Sequence, residues 1–278
     1  MIQCSNVSIA FHGKTILDRI DLTVRDGAFL CLLGQSGCGK STLLRTFAGL
    51  LKPSSGEVFV DGKAVDGPEP ACSVVFQDYS LFPWMTTGKN LMLALAASFP
   101  QKSKAEIRNL AESYLEMVGL GSVFNQYPAA LSGGMRQRAA IARAIAVPSR
   151  ILLMDEPFGA LDPVNRAMLQ DLVRELHRDS RGARTVVFVT HDVDEALYLG
   201  TEIAVLGSSP GRVIALEQNP VSRQLPREKI FENESVISLQ RKIMEIYRAD
   251  MNEKLNLSLM MWSIQLKTCS RSRTFLPM

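Results

Sequence analysis

Short apolar runs separated by turn residues open the chain: Val7 to Phe11, Ile20 to Val24, Phe29 to Leu33 and Glu57 to Val60, the last closed by Asp61-Gly62. Each run reads as a strand. After Gly34 the period changes, and Leu43, Leu44, Phe47 and Leu50 recur at helical spacing until Lys52-Pro53 is expected to stop the element. The chain therefore passes from strand through a glycine-rich loop into a helix. From about residue 81 to 147 the pattern is helical: Ser103 and Glu106 form a capping box, and Ile107, Leu110, Tyr114 and Met117 make one face before Gly119. This stretch is expected to be an inserted helical subdomain. Strand patterns return at Ile151 to Met154, Thr185 to Thr190 and Glu202 to Leu206, separated by helical stretches such as Arg166 to Arg178. Such alternation predicts an α/β fold with a mostly parallel sheet. Beyond about Pro220 one amphipathic helix stands out, Val236 to Tyr247, followed by a Met- and Ser-rich end with Lys267, Arg271 and Arg273 that is expected to be a frayed, solvated tail.

Composition narrows the picture. With 278 residues, 46% of them hydrophobic, the chain can bury one large core or two small ones, and general disorder is excluded. Thirty-one Lys+Arg against 28 Asp+Glu leave a formal charge of +3, too balanced for a polyanion-binding surface, so nucleic acid is not an expected partner. No apolar run reaches the roughly 18 residues of a spanning helix. Met1-Ile2-Gln3-Cys4-Ser5-Asn6 lacks the basic-then-apolar layout of a secretory signal, and the chain is expected to stay in the cytosol. Five cysteines without a CxxC pair fit a reducing compartment.

Three segments carry chemistry. Gly34-Gln35-Ser36-Gly37-Cys38-Gly39-Lys40-Ser41 fits GxxxxGK[ST] between a strand and a helix. The glycines let backbone N–H groups curl around phosphate oxygens, Lys40 neutralises the outer phosphates, and Ser41 offers a hydroxyl to Mg2+. Thr42, next in the chain, is counted with the phosphate-binding residues. Cys38, close to Lys40 and a helix N-terminus, is expected to favour its thiolate and to react with thiol reagents unless nucleotide is bound. Ile151 to Met154 ends in Asp155-Glu156, two carboxylates at the ligand-facing edge of a parallel sheet. Asp155 suits the Mg2+ shell, and Glu156 suits the attacking water. Ser132-Gly133-Gly134 precedes an Ala-rich helix, Met135 to Val147, and reads either as a second anion cradle or as an ordinary N-cap.

Leu131-Ser132-Gly133-Gly134 ahead of a basic helix, shortly before the Asp-Glu strand, resembles the signature of ATP-binding cassette ATPases. Residues 1 to 220 resemble one such cassette, with residues 221 to 278 as a partly helical extension. The resemblance implies a P-loop NTPase fold: a mostly parallel core sheet, an N-terminal antiparallel β subdomain and the inserted helical subdomain. It implies ATP and Mg2+ as ligands, with Gly34 to Ser41 as Walker A and Ile151 to Glu156 as Walker B. Gln77 matches the Q-loop, which reaches Mg2+ and water, and Asp162 matches the D-loop. His191 matches the switch histidine, which touches the γ-phosphate. Phe11 stands where the family places a ring against adenine, although its pattern equally suits the core.

The same resemblance implies a head-to-tail dimer in which Ser132, Gly133 and Gly134 of one copy close on the γ-phosphate held by Lys40 of the other. Tyr79 to Met85 would border the groove for transmembrane permease subunits, with Phe82 and Trp84 as anchors. FPWMT, LSGGMRQR, PFGALD and SSPGRV resemble importer cassettes for nitrate, sulfonate, taurine or related solutes, served through the permease by a periplasmic or surface solute-binding protein. The chain would then sit peripherally on the cytoplasmic face of the inner membrane. An exporter cassette, a soluble cassette acting on nucleic acid or ribosomes, and a non-catalytic regulator are the rival readings. Thr87-Gly88-Lys89-Asn90 departs from the more apolar segment usual there.

Overall fold

The structure is a computed structural model that describes residues 1–179, 184–207, 210–219, 221 and 224–271, with side chains as far as residue 253. In chain order the elements are β1 (Ile2–Phe11), β2 (Lys14–Val24), β3 (Phe29–Gly34), α1 (Lys40–Phe47), β4 (Ser55–Val60), β5 (Lys63–Ala64) and β6 (Cys72–Val75). Three longer helices follow, α2 (Thr87–Ser98), α3 (Lys104–Met117) and α4 (Gly133–Ala146). Then come β7 (Ile151–Asp155), α5 (Pro163–Asp179), β8 (Thr185–Thr190), α6 (Val193–Leu199), β9 (Glu202–Leu206), β10 (Val213–Gln218), α7 (Arg227–Ile230) and α8 (Glu234–Arg271).

Two sheets organise these elements. The first is antiparallel, in the order β2-β1-β4-β5. The second runs β10-β9-β3-β8-β7-β6 and is parallel except for β10. Every residue of β3, β7, β8 and β9 is buried, as strands covered on both faces require. Leu33 pairs with Thr190 and Asp155 with Val189, so β3, β7 and β8 end together at one edge. That edge carries the site.

One core lies between the two sheets, where α1 inserts Leu43, Leu44 and Phe47 against Ile2, Val7 and Leu153. The other lies on the opposite face of the parallel sheet. There Phe29, Phe158 and Phe188 stack, and Leu91, Ile107, Leu115 and Ile141 of α2 to α4 join them with Val236 and Ile243 of α8. Ser103 caps α3 as the sequence predicts: its Oγ accepts from the Glu106 N–H at 3.3 Å, and Glu106 Oε2 accepts from the Ser103 N–H at 2.8 Å.

Several elements differ from the sequence reading. The buried stripe of α3 is Ile107, Ala111 and Leu115, four residues apart, and Met117 in the last turn faces solvent. Helix α1 stops at Phe47, well before Lys52-Pro53. Gly49 takes φ +68°, and the Leu50 N–H donates to the Arg45 carbonyl at 2.9 Å, a left-handed C-terminal cap. A Cβ at Gly49 would stand 1.7 Å from the Gly67 carbonyl oxygen. Strands β5, β6 and β10 escaped the pattern because they are short or half-exposed. Helix α8 continues far beyond Tyr247 to Arg271, so Lys267 and Arg271 belong to a helix rather than a frayed tail. No Gly or Pro interrupts the chain from Glu234 to Arg271, and nothing stops propagation. Arg273 lies outside the described residues.

Candidate functional site

The loop between β3 and α1 wraps back on itself. Lys40 is buried, and its Nζ donates to the carbonyls of Gly34 at 2.7 Å and Gln35 at 2.9 Å. Gly39 takes φ +100°, and a Cβ there would strike Leu17 Cδ2 at 2.4 Å, so the spacing of the motif is also a packing requirement. Ser41 Oγ donates to Asp155 Oδ1 at 2.8 Å, which joins the first turn of α1 to the end of β7. A cavity of about 270 Å³ opens above, lined by Ser36, Gly37, Gly39, Lys40, Ser41, Thr42, Gln77, Glu156 and Ile16.

Glu156 belongs also to a second, neighbouring cavity of about 100 Å³ that contains His191, Thr190, Asp192, Glu195, Phe158, Gly159 and Arg166. His191 Nδ1 stands 3.5 Å from Glu156 Oε2. Glu156 adopts φ +44°, a left-handed conformation costly for a residue with a side chain, and its N–H donates to the Val189 carbonyl at 3.1 Å. The strained turn aims the carboxylate across both cavities. Burial pushes the Asp155 carboxyl above its ordinary value, the Glu156 charge adds to this, and the Ser41 hydroxyl, Arg45 and Lys40 oppose it. Ser41, Asp155, Gln77 and Glu156 offer only oxygen and amide donors, a set suited to a hard cation. Among the described residues no cluster of three or more His, Cys, Asp or Glu could hold a metal ion.

Cys38 departs from expectation. Its thiol is driven above the ordinary value by burial, which outweighs the Lys40 charge and the neighbouring backbone N–H groups. Phe11 closes the β1–β2 hairpin opposite Lys14 and is 44% exposed, and it is not among the cavity-lining residues. Ile16 of β2 lines the cavity. No motif marks Ile16, which reaches the loop only because β2 passes beside it.

Ser132, Gly133 and Gly134 lie outside both cavities. Ser132 Oγ accepts from the Met135 N–H at 3.2 Å and so caps α4. A Cβ on Gly134 would meet Leu161 at 3.4 Å, which places this N-terminus beside the segment leading to Asp162. Asp162 Oδ1 accepts from the Val164 and Asn165 N–H groups at 3.2 and 3.0 Å, at the start of α5, and Asn165 holds its carboxyl below the ordinary value. The phosphate loop, Gln77, Glu156 and His191 thus line the two cavities, with Asp155 bonded to Ser41, whereas Ser132, Gly133, Gly134 and Asp162 line neither.

The profile of the family described as ABC transporter matches residues 17–159. The chain belongs to the ABC transporter ATPase family. This ABC ATPase is 41% identical over 230 residues to the bicarbonate transport ATP-binding protein CmpD of Synechocystis, spanning 81% of this chain and 80% of that protein. It is 39% identical over 234 residues to the nitrate import ATP-binding protein NrtD of Synechococcus elongatus, spanning 84% and 85% of the two chains. A solved dimeric structure of an ATP-binding cassette in a post-hydrolysis state, bound to ADP and Pi, superposes with a TM-score of 0.72 at 32% identity, covering 79% of this chain and 99% of that one. The α/β fold of the ABC ATPase, with its antiparallel N-terminal sheet, is the fold of those cassettes. Of the second cavity, Arg166, Thr190, His191, Asp192 and Glu195 lie beyond the profile match, on α5, β8, the turn after it and α6.

Proposed function

We propose that this chain hydrolyses ATP to drive import of a small solute of the nitrate, sulfonate or taurine kind across the cytoplasmic membrane. The observation that carries the reading is the convergence of Lys40, Ser41, Gln77 and Glu156 on one cavity, with Asp155 bonded to Ser41. Its relatives named for bicarbonate transport and nitrate import support the class of cargo.

In this reading residues 34 to 42 grip the phosphates. Lys40 exchanges the Gly34 and Gln35 carbonyls for phosphate oxygens, an attractive exchange because the Nζ is already desolvated. Ser41 and Asp155 would hold Mg2+, with Gln77 beside them, and the ion would supply charge neutralisation for the leaving phosphates. Glu156 orients and polarises the water that attacks the γ-phosphorus, and His191 contacts the γ-phosphate from the far side of Glu156. Phe11, exposed at the hairpin end, is assigned the adenine contact.

Ser132, Gly133, Gly134 and Asp162 line neither cavity of their own chain, and this supports a head-to-tail pair in which they face the nucleotide of a second copy. We further propose residues 1 to 220 as the cassette, about 81 to 147 as its helical subdomain, and 221 to 278 as an extension. Phe82 and Trp84 pack at 5.4 Å between ring centres, with Trp84 68% exposed, and they suit a permease interface. Among the described residues no helix is long and apolar enough to cross a membrane, so attachment would be peripheral and through that permease, which a solute-binding protein serves from the other side. The test is phosphate release. Glu156→Gln should bind ATP as the parent does while hydrolysis falls at least about a hundredfold, whereas parent-like turnover would remove Glu156 from the role.

A further inference from the structure

His191 carries its ring into solvent, 62% exposed, and meets Glu156 at 3.5 Å, a contact too long to clamp it. What fixes the residue is the backbone on either side, and that backbone is tied down by one carboxylate. The Asp192 N–H donates to Thr190 Oγ1 at 3.0 Å, and Thr190 Oγ1 donates to Glu195 Oε2 at 2.7 Å, closing a loop around His191. From the other side Arg227 Nη2 donates to Gln170 Oε1 at 3.0 Å, and Gln170 Nε2 donates to Glu195 Oε1 at 3.0 Å.

The direction of each bond is dictated by chemistry. A guanidinium only donates, so the Gln170 amide must turn its oxygen to Arg227 and its nitrogen to Glu195. A backbone N–H only donates, so the Thr190 hydroxyl receives it and directs its own hydrogen to Glu195. Two donor chains, one from α7 through α5 and one from the turn after β8, converge on a residue that must accept at both oxygens. Only a carboxylate does so with this shape.

We propose that Glu195 is the positioning residue for His191, holding the His191 turn through Thr190 and anchored from behind by Gln170 and Arg227. This rests on the part assigned above to His191. It also gives α7, in the segment whose role the sequence leaves open, a place in the catalytic edge. Replacing Glu195 by glutamine keeps the volume but presents an NH2 group where an acceptor is needed, so one buried donor chain ends unpaired. Exchanging the two side chains restores every bond: the amide now at position 195 accepts from Thr190 and donates to the carboxylate now at position 170, which accepts from Arg227.

The experiment measures ATP hydrolysis by the full chain as kcat and KM, with melting curves, for the parent, Glu195→Gln, the exchange Glu195→Gln with Gln170→Glu, Thr190→Val and His191→Ala. Glu195→Gln and Thr190→Val should each lose about tenfold in kcat with KM for ATP within about twofold, because ATP is gripped by the phosphate loop and not by this turn. The exchange should recover kcat to within about twofold of the parent. Parent-like kcat in Glu195→Gln, an exchange no better than the single change, or losses that appear in KM and melting instead would overturn the proposal. Full hydrolysis by His191→Ala would instead overturn the reading of His191 itself. If Glu195→Gln alone cannot fold, the exchange and Thr190→Val decide by the same criteria.

Discussion

At Cys38 two influences oppose each other. Lys40 and the N–H groups of the loop favour a thiolate, yet only 2% of the residue meets solvent, and burial wins. Asp250, on α8, pushes in the same direction as burial. A thiol raised above its ordinary value holds less thiolate at neutral pH than a free cysteine does, and reactivity follows thiolate. Alkylation of Cys38, followed by peptide mapping, should be slow at neutral pH with or without ATP, and slower than that of a free cysteine. Fast labelling at neutral pH that ATP suppresses would contradict this. The sequence shows the charge beside Cys38 but not the depth of the side chain. The same limit explains the other residue-scale outcomes. Lys40, Ser41, Asp155 and Glu156 were legible because a fixed spacing follows a buried strand. Ile16 and Glu195 were not, since each reaches the site through a fold contact with no local pattern, and Phe11 was ambiguous because a hairpin end looks the same whether its ring faces solvent, core or ligand.

Elements were legible where the signal is local. The reciprocal bonds of Ser103 and Glu106 are written in four residues, and the apolar runs of β3, β8 and β9 sit close to where the pattern places them. Termini set by distant atoms were not. Helix α1 stops at Phe47 because the backbone turns left-handed at Gly49, directly against Gly67, a contact between segments with no shared periodicity. Gly49→Ala should therefore combine a strained φ with a clash against rigid backbone, destabilising by about 2–4 kcal/mol and lowering the melting midpoint by several degrees. Parent-like melting of this variant would show that the Gly67 segment yields freely. Helix α8 was underread for the opposite reason. Its apolar face weakens after Tyr247, but helix formers without a breaker carry the backbone on.

On the scale of the whole molecule, the parallel sheet delivers the ends of β3, β6, β7 and β8 to one edge and so assembles the phosphate loop, Gln77, Asp155, Glu156 and His191 within a single chain. The α4 N-terminus and Asp162 line neither cavity, and Gly134 stands beside Leu161. We propose that a second copy brings these residues to the terminal phosphate, and this division is the central claim. It is tested most directly by the mass in solution of Glu156→Gln, measured by light scattering with ATP, with ADP and without nucleotide, alongside the same variant carrying Ser132→Arg. With ATP the single variant should run at twice its monomer mass and return to monomer with ADP, while the added Ser132→Arg should keep it monomeric in every state. A Glu156→Gln protein that stays monomeric at saturating ATP, while the monomeric parent hydrolyses ATP at full rate, would contradict the account.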